Sequence, residues 1–139
     1  MKYLLDTCLI SELTKPNPNS GVANWLRGMP SDDLLLSAIT IGEIRKGLAK
    51  MPDSRRKQDL TTWLQTLLAD YSARILPVDL VVMENWGILQ GRAEVAGTPM
   101  ATLDGLLAAT AHTHNLTVAT RNVRDFAPAN IPIYNPWTA

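Results

Sequence analysis

Lys2-Tyr3-Leu4-Leu5-Asp6-Thr7-Cys8-Leu9-Ile10 opens the chain with an apolar run, a carboxylate, and then apolar residues at a new spacing. Tyr3 to Leu5 reads as a short strand, and Leu9, Ile10 and Leu13 recur at helical spacing until Pro16 and Pro18 stop them. The same order returns along the chain. Leu34-Leu35-Leu36-Ser37 reads as a second strand, followed from Thr40 by a helix with Ile41, Ile44, Leu48 and Met51 as its stripe and Pro52 as its end. Ile75 to Val78 is a third strand that tolerates Pro77 where a ladder donor is dispensable. Leu116 to Ala119 is a fourth and Ile131 to Tyr134 a short fifth. Further helices are expected from Ser20 as cap through Arg27, over Asp53 to Ala69, from Asp79 as cap to about Ala96, and over Thr102 to His114. Strands alternating with helices predict an α/β fold with a parallel sheet covered on both faces.

Composition narrows the function classes. A chain of 139 residues with 46% apolar content has the size of one domain with a real core. Thirteen basic residues balance thirteen acidic ones, so no global field marks a nucleic-acid or membrane binder, and polyanion binding must rest on a local patch. One cysteine, Cys8, excludes an internal disulfide, and the start lacks the apolar core of a signal peptide, which together point to the cytoplasm. No apolar run approaches 18 residues, so no membrane span is expected.

The chemistry is carried by acids placed after strands. Parallel strands put their carboxyl ends on one edge of the sheet, where open α/β folds build ligand sites. Asp6 follows the first strand; it is a site residue or a cap for the next helix. Glu43 follows the second, but Thr40-x-x-Glu43 also has capping-box spacing, which would fold the side chain back onto the helix start. Asp104 begins a helix rich in Leu and Ala, where a carboxylate is costly unless it faces a cleft or a partner. Its neighbour Gly105 permits close approach of a ligand or of another element. Asn122 and Asp125 lie in the polar turn after the fourth strand and serve either as oxygen donors or as turn formers. Carboxylates gathered at one edge repel each other unless a cation sits among them. Hard oxygen donors without a Cys/His set select Mg²⁺ or Mn²⁺.

Four segments together resemble PIN domains, and within them the VapC-type toxin ribonucleases and their FitB-like branch. They are Leu4-Leu5-Asp6-Thr7, Ser37-x-x-Thr40-x-x-Glu43, Asp104-Gly105-Leu106-Leu107-Ala108-Ala109-Thr110-Ala111, and Val118-Ala119-Thr120-Arg121-Asn122-x-x-Asp125-Phe126. The ending Ile133-Tyr134-Asn135-Pro136-Trp137 is similar as well, so the resemblance spans essentially the whole of residues 1–139 as one PIN domain. It implies a three-layer α/β/α fold with about five parallel strands in the order 3-2-1-4-5. It also implies Mg²⁺-dependent cleavage of RNA, with Mn²⁺ able to substitute, by a homodimer held by a VapB-type or FitA-type antitoxin. With that antitoxin and operator DNA the protein would form a larger assembly. Carried over, Asp6, Glu43 and Asp104 form the acidic site, the fourth position falls on Asn122 with Asp125 three residues on, and Thr120 orients the site through its hydroxyl.

On this reading Asp6 and Asp104 are expected to be direct ligands, Glu43 a ligand through water or the base on the attacking water, and Asp125 outer support. Arg121 and Arg124 stand beside the site to meet a phosphate, with Lys46 on the Glu43 helix as a further contact. His112 and His114 lack metal-ligand spacing and end their helix. The tryptophans are expected in core or interface, and Cys8 as a small buried hydrophobe. Two rival functions remain: a catalytically weak PIN scaffold acting with a DNA-binding antitoxin in transcriptional regulation, and another Mg²⁺ enzyme on a similar sheet. A haloacid-dehalogenase-type phosphatase would want Asp-x-Asp at the first strand, where this chain has Asp6-Thr7-Cys8.

Overall fold

The computed structural model describes residues 1–138 of the chain. Its centre is strand β1 (Tyr3–Leu5), whose Leu4 and Leu5 are wholly buried. The short helix α1 (Thr7–Glu12) follows, then α2 (Ser20–Gly28), β2 (Leu34–Ser37), α3 (Ala38–Lys50) and α4 (Arg55–Asp70). The second half comprises β3 (Ile75–Leu76), α5 (Leu80–Val95), α6 (Thr102–Thr113), β4 (Thr117–Ala119), α7 (Val123–Phe126) and β5 (Ile133–Tyr134). All strand pairs are parallel, in the order β3-β2-β1-β4-β5, as the resemblance implied. Because the chain runs outward from β1 to β3 and returns to β4 on the other side, the switch point lies between β1 and β4.

Alternation along β1 divides the core in two. Leu4 turns to a cluster with Val118, Phe126 and the α6 residues Leu107, Ala108 and Ala111. Leu5 turns to the opposite cluster, with Leu9, Ile10, Leu36, Leu64 and Ala119. The register Leu4↔Leu35 and Leu4↔Val118 locks β1 between its neighbours, so the position of Asp6 is set by buried residues on both sides. Truncating Leu5 or Leu36 to Ala would cost about 2–5 kcal/mol.

Several boundaries differ from expectation, three of them with a clear physical cause. β3 stops at Leu76, before Pro77 removes a donor. α2 is capped by Asn19, whose Oδ1 accepts from Val22 N at 3.2 Å, so Ser20 is its first residue. The most consequential is α3, which starts at Ala38, with Ser37 as its cap; Ser37 Oγ accepts from Ile39 N at 3.0 Å. Thr40 and Glu43 therefore lie inside the helix, and the capping-box reading fails. Strand β2 runs straight into α3, so the last strand residue takes the cap.

Helices α5 and α6 meet at a close crossing. Gly105 is buried, and a Cβ there would fall 3.0 Å from Trp86 Nε1. Between the two roles open to Gly105, the structure selects packing. The indole lies against its backbone with a buried Nε1 that finds no partner among the described residues.

Candidate active site

Asp6 leaves the carboxyl end of β1 with its backbone N–H still in the sheet, donating to Ala119 O at 3.0 Å. One carboxylate oxygen, Oδ1, accepts from Thr7 N at 2.7 Å and caps α1. The other, Oδ2, accepts from Thr120 Oγ1 at 2.8 Å. Capping and the site are thus not alternatives for Asp6, since each oxygen has its own task. Thr120 is fully buried at the end of β4, and its Oγ1 in turn accepts from Asn122 N at 2.9 Å. The hydroxyl stitches β4 to β1 across the switch point.

Glu43 projects from the second turn of α3 towards the end of β1, where its Oε1 accepts from Thr7 Oγ1 at 2.7 Å. Thr40, one turn earlier and fully buried, has its Oγ1 3.3 Å from the same Thr7 hydroxyl. Neither Thr7 nor Thr40 was expected in the site. The signal available was the adjacency of Thr7 to Asp6, although its partner lies 36 residues away. Cys8 also departs from expectation: it is half-buried, and its Sγ lies 3.5 Å from both Asp6 Oδ2 and Thr120 Oγ1. Burial, and then the charge of Asp6, push its thiol pKa upward.

Asp104 stands in the first turn of α6, half-buried, with no hydrogen bond to its carboxylate among the described residues. Its pKa is pushed up to about 6, first by burial and then by the charges of Asp6, Asp125 and Glu43. Charges of acids up to 119 positions apart in the sequence thus act on one carboxyl group, after burial, which is the larger cause. Asp125 lies in α7, exposed, and contributes more to the shift than Glu43 does. Asn122 is exposed and engages Thr120 through its backbone N–H. Arg121, Arg124 and Lys46 are exposed near these acids in sequence, and the Arg121 guanidinium lies 5.8 Å from the Trp137 ring centroid.

Among the described residues, no three His, Cys, Asp or Glu side chains are already gathered into a metal-holding group. Asp6, Asp125 and Glu43 act on Asp104 through charge without closing into a cage. That suits Mg²⁺, which keeps several waters and is usually held by one or two carboxylates together with substrate phosphates. The all-oxygen donor set and the mutual repulsion recorded at Asp104 both fit such a cation. Beside Glu43 a groove of about 250 Å³ runs between α1, α3 and α4, from Thr7 and Ser11 to Met51, Leu60 and Trp63.

A parallel sheet ordered 3-2-1-4-5, with acids converging at the carboxyl edge by its switch point, defines an acidic-cleft α/β domain. The chain belongs to the PIN domain family, whose model matches residues 3–129. It is 41% identical over 135 residues to toxin FitB of Neisseria gonorrhoeae, covering 96% of this chain and 97% of that protein. It is 38% identical over 135 residues to the VapC ribonuclease Y4jK of Sinorhizobium fredii, covering 96% of each. Among solved structures, FitAB bound to an IR36 DNA fragment contains a chain that matches with a TM-score of 0.92 and 39% identity, covering 97% of this chain and 95% of that one.

Proposed function

We propose that this chain is a Mg²⁺-dependent endoribonuclease, the toxin half of a toxin–antitoxin pair, with Mn²⁺ able to substitute and residues 1–139 acting as one PIN domain. The observation that carries this reading is the crowding of Asp6, Asp125 and Glu43 upon Asp104. A cleft of acids repels a polyanion such as RNA unless a cation intervenes, so the geometry makes sense with an ion and an anionic substrate together. The relative named as a VapC ribonuclease supports RNA as that substrate.

Asp6 and Asp104 would hold the ion, and Asp125, more than Asn122, would be the fourth acidic position. When bound, the ion supplies positive charge that offsets the phosphate and makes a bound water more acidic. Glu43 is placed to accept the proton of the attacking water or to hold an ion through water. Thr120 keeps Asp6 from rotating by donating to Oδ2, leaving that carboxylate pre-set at the strand end. Arg121, Arg124 and Lys46 would meet flanking phosphates.

The partner we infer is a FitA-like or VapB-like antitoxin, as the FitAB assembly does for its relative, with a toxin homodimer and operator DNA completing the complex. No helix of the described residues is long and apolar enough to cross a membrane, consistent with action in the cytoplasm. The test is purified protein incubated with structured and unstructured RNA, with Mg²⁺ or EDTA, beside Asp6→Asn. Products only in the wild-type Mg²⁺ lanes are expected. Equal products in every lane would overturn the metal-nuclease reading.

A further inference from the structure

We propose that Thr7 is a positioning residue for Glu43: its hydroxyl holds Oε1, leaving Oε2 for the cleft shared with Asp6 and Asp104. The proposal rests on the nuclease reading above and assigns a role to a residue outside the acidic set.

A carboxylate accepts only, so across the 2.7 Å contact Thr7 Oγ1 donates to Glu43. A hydroxyl has one proton. Thr7 Oγ1 also faces Thr40 Oγ1 as donor at 3.3 Å, but its one proton goes to the closer, charged Glu43 acceptor. Thr40 is fully buried, and Thr7 Oγ1 is its side chain's one partner among the described residues. The Thr7 hydroxyl thus sits between a buried hydroxyl and a carboxylate, and its short bond orients the carboxylate of Glu43. Meanwhile the backbone N–H of Thr7 donates to Asp6 Oδ1 at 2.7 Å. One residue thus restrains two acids, Asp6 at the end of β1 and Glu43 in α3, and its own place is set by the end of β1.

A free glutamate side chain has several rotors to lose on engaging a reaction centre. Pre-ordering by an outer partner is commonly worth about 10–100-fold in metal affinity or activity. The bland alternative is that Thr7 only satisfies Thr40 inside the protein. Substitutions separate the two. Thr7→Val orphans the Thr40 hydroxyl and should lower Tm, whereas Thr7→Val/Thr40→Val removes both hydroxyls and should recover it.

The experiment measures three quantities on purified full-length protein: Tm, Mn²⁺ affinity by electron paramagnetic resonance, and kcat and KM on a fluorescent RNA oligonucleotide. For the double variant we expect a Tm near wild type, Mn²⁺ binding weakened on the order of tenfold, and kcat lowered by about 10–100-fold with KM little changed. Thr7→Ser, which keeps the hydroxyl, should restore both readouts, and Thr40→Val alone should keep Mn²⁺ affinity. A double variant matching wild type in Mn²⁺ affinity and kcat would overturn the proposal, as would Thr7→Ser behaving like Thr7→Val. If wild-type protein binds Mn²⁺ yet cleaves no RNA, the nuclease reading falls, while the Mn²⁺ comparison still decides the role of Thr7.

Discussion

Thr120 Oγ1 donates to Asp6 Oδ2 at 2.8 Å, a bond between the ends of two adjacent parallel strands and 114 residues of sequence. Both residues are buried, so the bond is little exchanged with water and constrains the carboxylate strongly. Thr120→Val keeps the shape but removes the donor and also strips Asn122 N of its acceptor. We expect a loss of about 1–3 kcal/mol in stability and at least a tenfold fall in kcat on RNA. Thr120→Ser should keep most of both, and equal kcat for the Val and Ser variants would sink the assigned role.

Asp104 predicts a distinctive pH response. Its folded-state pKa lies near 6, above the ordinary 3.8, so the folded chain holds the proton more tightly than the unfolded one. Stability of the metal-free protein should therefore fall as pH rises from about 4 through 6, and level off above. Asp104→Asn should raise the metal-free Tm at pH 7.5. Discounted for the group's partial exposure, the effect is about 1 kcal/mol, or roughly 3 to 6 °C. Added Mg²⁺ should stabilise wild type but not this variant, since it binds the ionised form. Calorimetry across pH 4 to 8, with EDTA or Mg²⁺, checks both signs.

How much of this could be read in advance depended on whether a feature was local. The strands and their shared acidic edge were legible because Tyr3–Leu5, Leu34–Ser37 and Thr117–Ala119 are short runs followed by polar residues, whereas the strand order came from the family resemblance alone. Glu43 was ambiguous because a capping box and a site residue share one spacing. Only the cap on Ser37, set by the direct passage of β2 into α3, decided between them. The bonds from Thr7 to Glu43, between two helices, and from Thr120 to Asp6, between two strand ends, link distant segments and left no periodic trace. Cys8 followed the same rule: its apolar setting was visible, but its contact with the Asp6–Thr120 pair was not.

The fourth acidic position can now be tested by charge. Asp125 raises the Asp104 pKa more than Glu43 does, whereas Asn122 carries no charge and engages the site through its backbone. Asp125→Asn should lower the Asp104 pKa, read by carboxyl-carbon NMR, and weaken Mn²⁺ binding several-fold. Asn122→Ala should leave both near wild type, because the N–H that meets Thr120 is retained. A larger effect from Asn122→Ala would reverse the assignment.

Gly105 offers a way to move Asp104 without touching its charge. A Cβ at this position would lie 3.0 Å from Trp86 Nε1 and 3.2 Å from its Cδ1, so the indole must give way by a few tenths of an ångström. The half-buried indole of α5 lies against the α6 backbone at Gly105, with its Nε1 buried. Gly105→Ala gains helix propensity, worth about 1 kcal/mol, but overpacking costs about 1–3 kcal/mol, so the net effect should be destabilising. The shift falls on the first turn of α6, which carries Asp104, so RNA cleavage should drop even where the fold survives. Trp86→Phe, which removes the unpartnered N–H and part of the ring, should relieve the clash and recover Tm in the double variant. A Gly105→Ala protein as stable and active as wild type would mean that the α5–α6 crossing yields without displacing Asp104.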